Sequence, residues 1–151
     1  MIEEFWNNYL SFLESEHPHQ NLPVPESWSF GNSKQMASEL GQLVLSGKKT
    51  ATSSRYLGED LSKELGLSVI TDGDGTPLCL IEIYEVSVQK FCEVTASFAA
   101  EEGEGDLSLD YWREAHWEFF ERESQTAGYE LSEEMLLCCS RFKLLYPLPS
   151  K

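Results

Sequence analysis

The sequence predicts an α+β fold: a mostly antiparallel sheet curled into a small β-barrel, with helices packed on its flanks. Three observations carry this. Apolar residues recur at helical spacing in two N-terminal stretches and one later stretch. Two β-rich runs, residues 67–71 and 77–88, are joined by Asp72-Gly73-Asp74-Gly75, a turn signal at hairpin length. The resulting order, α-α-β-β-β-α-β, sets strands next to one another along the chain, which favours antiparallel pairing.

The first helix is expected over residues 2–16, where Ile2, Phe5, Trp6, Tyr9, Leu10 and Leu13 share a face. The Pro-rich turn from Pro18 to Pro25 breaks it, because proline cannot continue a helix. Asn32 or Ser33 caps a second helix with the buried stripe Met36, Ala37, Leu40, Leu43 and Val44. Gly47 ends it, at the position that wants a left-handed residue. Thr50 to Ser54, small and β-branched, favour an extended strand. Asp72 and Asp74 lack the spacing and distal Glu of a calcium loop, so the segment reads as a plain turn. Asp106 or Ser108 caps a third helix to about Ser124, and a last strand runs from Leu136 to Tyr146, before Pro147.

With 151 residues the chain is expected to form one domain, residues 1–151, with the N-terminal helix packed on it. A hydrophobic content of 41% places it among folded proteins rather than disordered ones. No long apolar run points to a membrane, and the acidic start Met1-Ile2-Glu3-Glu4 lacks the basic region of a secretion signal. Cys79, Cys92, Cys138 and Cys139 form no CxxC pair and read as buried, reduced thiols, which points to the cytoplasm.

Charge divides the functional possibilities. The net charge is −15, and thirteen acids between Glu93 and Glu134 face only Arg113 and Arg122. Such a surface repels a phosphate backbone and argues against duplex DNA. Against it stands a basic island, Leu45-Ser46-Gly47-Lys48-Lys49-Thr50-Ala51-Thr52-Ser53-Ser54-Arg55, suited to an anionic or hydrogen-bond-accepting ligand. It lacks the upstream glycine of a phosphate loop. A lysine beside a threonine hydroxyl serves as its base where burial or a second cation lowers the ammonium pKa; solvated lysines at an exposed strand start are the plainer alternative. A second candidate is Glu101-Glu102-Gly103-Glu104-Gly105-Asp106, whose glycines let carboxylates approach a ligand closely, although acids also suit the N-terminal flank of a helix. A third is His116, four residues from both Trp112 and Phe120 and so on their apolar face, where a hydrogen-bonded core histidine is the commoner case. No second His or Cys stands at ligand spacing, so neither a metal nor another cofactor is expected.

Together these motifs resemble ASCH-domain proteins. The resemblance rests on Trp28-Ser29-Phe30-Gly31, Leu43 to Thr52, Glu102 to Asp106 with Ser108 to His116, and Cys139-Ser140-Arg141-Phe142-Lys143-Leu144-Leu145-Tyr146-Pro147. It implies a PUA-like fold, with a cleft lined by the Gly-Lys-Lys-Thr segment. It also implies RNA-related roles and, as in small bacterial members, N4-acetylcytidine amidohydrolase activity. By motif, Thr52 would be the nucleophile, Lys49 its activator, and Glu102 the proton carrier or substrate anchor, with Glu104 the rival acid. Ser54 stands where small hydrolases carry an arginine, and Arg55 follows on the opposite strand face. The substrate-contacting set is then Lys48, Thr50, Ser54, Arg55, Glu104, Trp112 and His116. Lys49 and Thr52 would lie on opposite faces of a regular strand, so they converge only if the chain bulges or turns between them. The expected ligand is a modified nucleoside or short single-stranded RNA, with hydrolysis of an N4-acylcytidine amide as the candidate reaction. The alternatives are a ribonuclease of the same fold, using Lys49 with a hydroxyl or His116, and a non-catalytic RNA- or nucleotide-binding module.

Overall fold

The computed structural model describes residues 1–148. Helix α1 (Ile2–Ser11) leads to strand β1 (Glu26–Trp28), helix α2 (Lys34–Leu45), strand β2 (Ala51–Arg55) and the hairpin of β3 (Gly66–Thr71) and β4 (Pro77–Lys90). Helices α3 (Ala96–Glu101) and α4 (Leu109–Ala127) precede the final strand β5 (Leu136–Tyr146). The five strands form one sheet in the order β1-β3-β4-β5-β2, antiparallel throughout except for the short parallel pair β1–β3. The sheet curls into a half-barrel with β1 and β2 as its edges, in keeping with the mostly antiparallel curled sheet expected.

Where elements differ from expectation, the reason is local. Helix α1 stops at Ser11, not residue 16. Ser11 Oγ donates to its own helix at Asn8 O, and the polar run Glu14 to His17 offers no apolar face, with His17 disfavoured from the helical region before Pro18. Leu13 still packs with the α1 core residues. Strand β1 and helix α3 are too short, at three and six residues, to show a period. Helix α4 runs to Ala127, past Ser124, and ends on Gly128 at φ 76°.

Other devices match the reading. Ser33 Oγ accepts the Met36 amide and so caps α2; Ser108 Oγ accepts from Tyr111 and caps α4. Asp72 Oδ1 accepts from the Asp74 and Thr76 amides, a turn held by its own side chain.

Three apolar clusters cover both faces of the sheet. Helix α2 packs Val44 against Ile70, Cys79, Ile81 and Phe142, while α1 sets Trp6 and Tyr9 on Val69 and Leu80. Neighbouring strand residues therefore bury on opposite sides, which is why β3 and β4 read as continuous apolar runs. Each such aromatic contributes roughly 1.5–3 kcal/mol by burial. Gly41 lets α2 lie close to β4, since a Cβ there would stand 2.4 Å from a Leu78 methyl. The third cluster joins α3 and α4 to β2 and β5 through Phe98, Trp112, Phe120, Ala51, Leu137 and Cys139. Cys79, Cys138 and Cys139 are buried as expected, but Cys92 is exposed, because it lies in a one-turn 3-10 segment that only Phe91 anchors. Among the described residues no helix is long and apolar enough to cross a membrane.

Candidate functional site

Two chain reversals build the site. Helix α2 ends with Ser46, and Gly47 at φ 82° turns the chain so that the Lys48 and Lys49 amides both bond back to Leu43 O, at 3.0 and 3.1 Å. Lys49 therefore lies before β2 begins. The Thr50 amide bonds Glu101 O at 2.8 Å instead of a strand, while Thr50 O accepts from Phe142 at 3.0 Å. The face rule that would separate Lys49 from Thr52 does not apply, because the two are not in one regular strand. On the other side, α3 closes on Glu102, and Gly103 follows at φ 74°. A Cβ on Gly103 would stand 2.2 Å from Lys48 O. Only glycine allows the two loops to touch backbone to backbone.

This contact buries Lys49 and Glu102 together, at 2% and 1% exposure. The Lys49 ammonium donates to Glu102 Oε1 at 3.3 Å, Glu104 Oε2 at 3.2 Å and Glu102 O at 3.4 Å. Three acceptors thus surround the Lys49 Nζ, one for each proton an ammonium carries. It also lies 5.3 Å from the Phe30 ring centre. Glu102 accepts from four side chains. Oε1 faces Lys49 and, at 3.3 Å, His116 Nε2; Oε2 takes Ser53 Oγ at 2.8 Å and Trp112 Nε1 at 2.6 Å.

His116 sits between two acceptors, with Nδ1 2.9 Å from Trp112 O and Nε2 against Glu102. Satisfying both requires a proton on each nitrogen, so the geometry favours imidazolium. The electrostatics agree. Burial alone would lower the His116 pKa, but the bond and charge of Glu102, the charge of Glu104 and the bond with Trp112 O outweigh it and raise the value. Burial alone would raise the Glu102 carboxyl. The Lys49 charge, the bond and charge of His116 and the Trp112 bond take it down to about 2.

Above this pair opens a cleft of about 380 Å³. Its polar end carries Lys49, Thr52, Ser53, Glu102, Glu104 and His116, and its walls include Phe30, Met36, Tyr111 and Phe119. Glu39 and Glu118 also line it, and Arg122 is tied to Glu118 at 2.8 Å, so the cleft remains acidic on balance.

Of the expected residues, Lys49, Thr52, Glu102, Glu104 and His116 come together here. The others stand elsewhere. Lys48 is exposed and lines a separate hollow with Leu43, Gly103, Gly105 and Leu107. Thr50 Oγ1 is spent on Glu101 O. Ser54 is exposed on edge strand β2. Arg55 stacks on Tyr129, 3.7 Å from its ring centre, with Glu123 at 3.6 Å. Trp112 is behind the cleft and touches Glu102 from the core side. Ser53 belongs to the basic island but had no role assigned to it, and the aromatic walls were not anticipated. Ser53 shares the face of buried Ala51 by the two-residue period of β2, a signal already present in the strand expected over Thr50 to Ser54.

Ligand atoms of Glu102, Glu104 and His116 lie within 4.8 Å of one another, a spacing that would also suit a metal. Both carboxylates already bond the Lys49 ammonium, so the donor set is matched to that cation.

The comparison with known families decides the wider identity: a model of the ASCH domain matches residues 26–146. The chain belongs to the ASCH-domain family. The ASCH domain of Lactobacillus crispatus JV V101 is similar at 37% identity, with a TM-score of 0.84 over 94% of this chain and 92% of that one. Protein EF3133 of Enterococcus faecalis V583 is similar at 35% identity, with a TM-score of 0.78 over 95% and 87%. No curated protein matches. This ASCH domain thus has the PUA-like fold that its motifs implied.

Proposed function

We propose that this protein acts as a single cytoplasmic ASCH-type domain that binds a small nucleoside-like ligand and hydrolyses an N4-acyl amide on its base. The observation that carries the reading is the buried Lys49 ammonium, held by Glu102 and Glu104 at the end of an aromatic-walled cleft that Thr52 also lines. A flat base fits between apolar walls, and the ammonium supplies positive charge where an amide oxygen becomes an oxyanion.

In this scheme Thr52 Oγ1 adds to the acyl carbon. Its proton passes through Glu104 to the departing exocyclic N4 amine of the base as the acyl C–N4 bond breaks. Water then hydrolyses the ester, releasing the acid and restoring Thr52. Glu104 suits the proton transfer because, among the described residues, its Oε1 has no partner and its side chain is 21% exposed. Glu102, with four donors, serves as the anchor that holds Lys49 and His116 rather than as the proton carrier. The acidic lining favours an uncharged nucleoside over a phosphodiester, which ranks a ribonuclease below the hydrolase.

Incubation with N4-acetylcytidine tests this. Acetate release by the wild type, lost in Lys49→Ala and Thr52→Val, is the expected result. No release by the wild type would remove the amidase reading for that substrate. Cleavage of single-stranded RNA that needs Lys49 would favour the nuclease, and tight binding without turnover would leave a regulatory binding module.

A further inference from the structure

The closing strand carries the one family-like motif to which the cleft gives no role, Cys139-Ser140-Arg141-Phe142, and its arginine is not in the cleft lining. Arg141 pairs in register with Ala51 of β2 on one side and Glu85 of β4 on the other, so it sits where three strands meet. Its guanidinium reaches α3. Nε donates to both Glu101 oxygens at 3.1 and 3.2 Å, and Nη2 donates to Oε2 at 3.0 Å. Nη1 bonds Glu85, and the cation lies 5.5 Å from the Phe98 ring centre.

We propose that Arg141 is a positioning residue, whose guanidinium clamps the C-terminal end of α3 to the sheet and thereby sets where Glu102 meets Lys49. Glu101 is the last residue of α3 and the neighbour of Glu102, and its carbonyl takes both the Thr50 amide and Thr50 Oγ1. One residue thus links the arginine clamp, the entry to β2 and the buried pair. Phe142, next to Arg141, closes the loop by bonding Thr50 O. Without the guanidinium, the carboxylates of Glu85 and Glu101 would face each other uncompensated and push α3 away from the sheet. Arginine suits this place because its planar fork holds two carboxylates at once, as a lysine point charge does not.

The clamp is a statement about geometry; only its consequence for turnover rests on the amidase reading. Trp112 Nε1–H, which donates to Glu102 at 2.6 Å, reports the position of that carboxylate without any substrate. Its indole resonance is assigned by its loss in Trp112→Phe and then compared in Arg141→Gln, Arg141→Lys and Lys143→Gln. Lys143, on the same strand as Arg141, makes only a cross-strand ion pair with Glu82 of β4, so it is the control. The expected result is an upfield move of the Trp112 indole in Arg141→Gln, partial recovery in Arg141→Lys and no move in Lys143→Gln. On the acylated nucleoside, kcat falls on the order of tenfold with KM little changed, less than the roughly hundredfold that a full 1 Å misplacement brings. A folded Arg141→Gln protein with its Trp112 resonance in place overturns the clamp. Should Arg141→Gln not fold, Glu101→Gln weakens the same clamp from its other end and carries the same readout. A moved resonance in a protein whose wild type releases no acetate would sink the amidase reading and leave the clamp standing.

Discussion

Replacing Glu102 by glutamine keeps the side chain's shape and removes its charge, which isolates what that charge does. In the folded protein the carboxylate meets four donors and is 1% exposed. Glutamine has an oxygen for one side of this arrangement and an amide nitrogen for the other. Its two protons would therefore face either Ser53 and Trp112 or Lys49 and His116. Lys49 and a protonated His116 would keep only Glu104 as a counter-charge. A carboxyl carried from 4.5 to about 2 corresponds to about 3 kcal/mol at roughly 1.36 kcal/mol per pH unit. Breaking a buried ion pair from one side costs roughly 3–5 kcal/mol, and the remaining Glu104 keeps the expectation at the lower end. For a chain of this size that lowers Tm by roughly 6–12 °C. The sign with pH follows: a depressed carboxyl contributes stability that is present above pH 4.5 and is lost as the pH falls towards about 2. The difference in urea unfolding free energy between wild type and Glu102→Gln should therefore be largest between pH 4.5 and 6.5, shrink below pH 4.5, and decline above pH 6.5 as His116, whose pKa Glu102 raises, loses its proton. Glu104→Gln, at the partly exposed acid, should cost under about 1 kcal/mol. Equal losses for the two variants, or a Glu102 difference that does not change with pH, would refute the assignment of Glu102 as the buried anchor.

Other expectations follow the same lines. His116 has a raised pKa, so its charge stabilises the fold below pH 6.5 and that contribution fades as the pH rises through its folded value; thermal melts of wild type against His116→Gln should differ most between pH 5 and 6.5 and converge above it. Gly103→Ala should destabilise severely, since its Cβ would meet Lys48 O at 2.2 Å, whereas Gly47→Ala, with the same sign of φ and open space around it, should cost only about 1 kcal/mol by chemical denaturation. Phe120→Ala, at a fully buried ring packed on Phe91 and Phe119, should cost roughly 3–5 kcal/mol in the same assay.

The acidic lining bears on how such a fold selects a ligand. Glu39, Glu104 and Glu118 line the cleft together with Lys49, and the Lys49 charge is already shared between two carboxylates. Net attraction for an anion is therefore small. What the cleft offers is a local positive charge beside apolar walls, which suits a polarised but uncharged group such as an amide oxygen.

The sequence by itself determined the elements that long periods and turn chemistry mark. These are α2 with its Ser33 cap, the Asp72–Gly75 hairpin, α4 from Ser108 and β5 from Leu136 to Tyr146. Its motifs also brought Lys49, Thr52, Glu102, Glu104 and His116 forward as one group. The family motif ranked Lys49 over Lys48 and Glu102 over Glu104, but the residues themselves do not, because neighbouring like residues have the same chemistry until a backbone turn gives them different directions. That decision was tertiary. Gly47 and Gly103, both at positive φ, bring two distant loops into backbone contact, and the contact buries one lysine and leaves its neighbour in solvent. The roles of Ser53, Trp112 and Arg141 arise in the same way, since hydrogen bonds between residues ten to fifty positions apart leave no period in the chain that makes them.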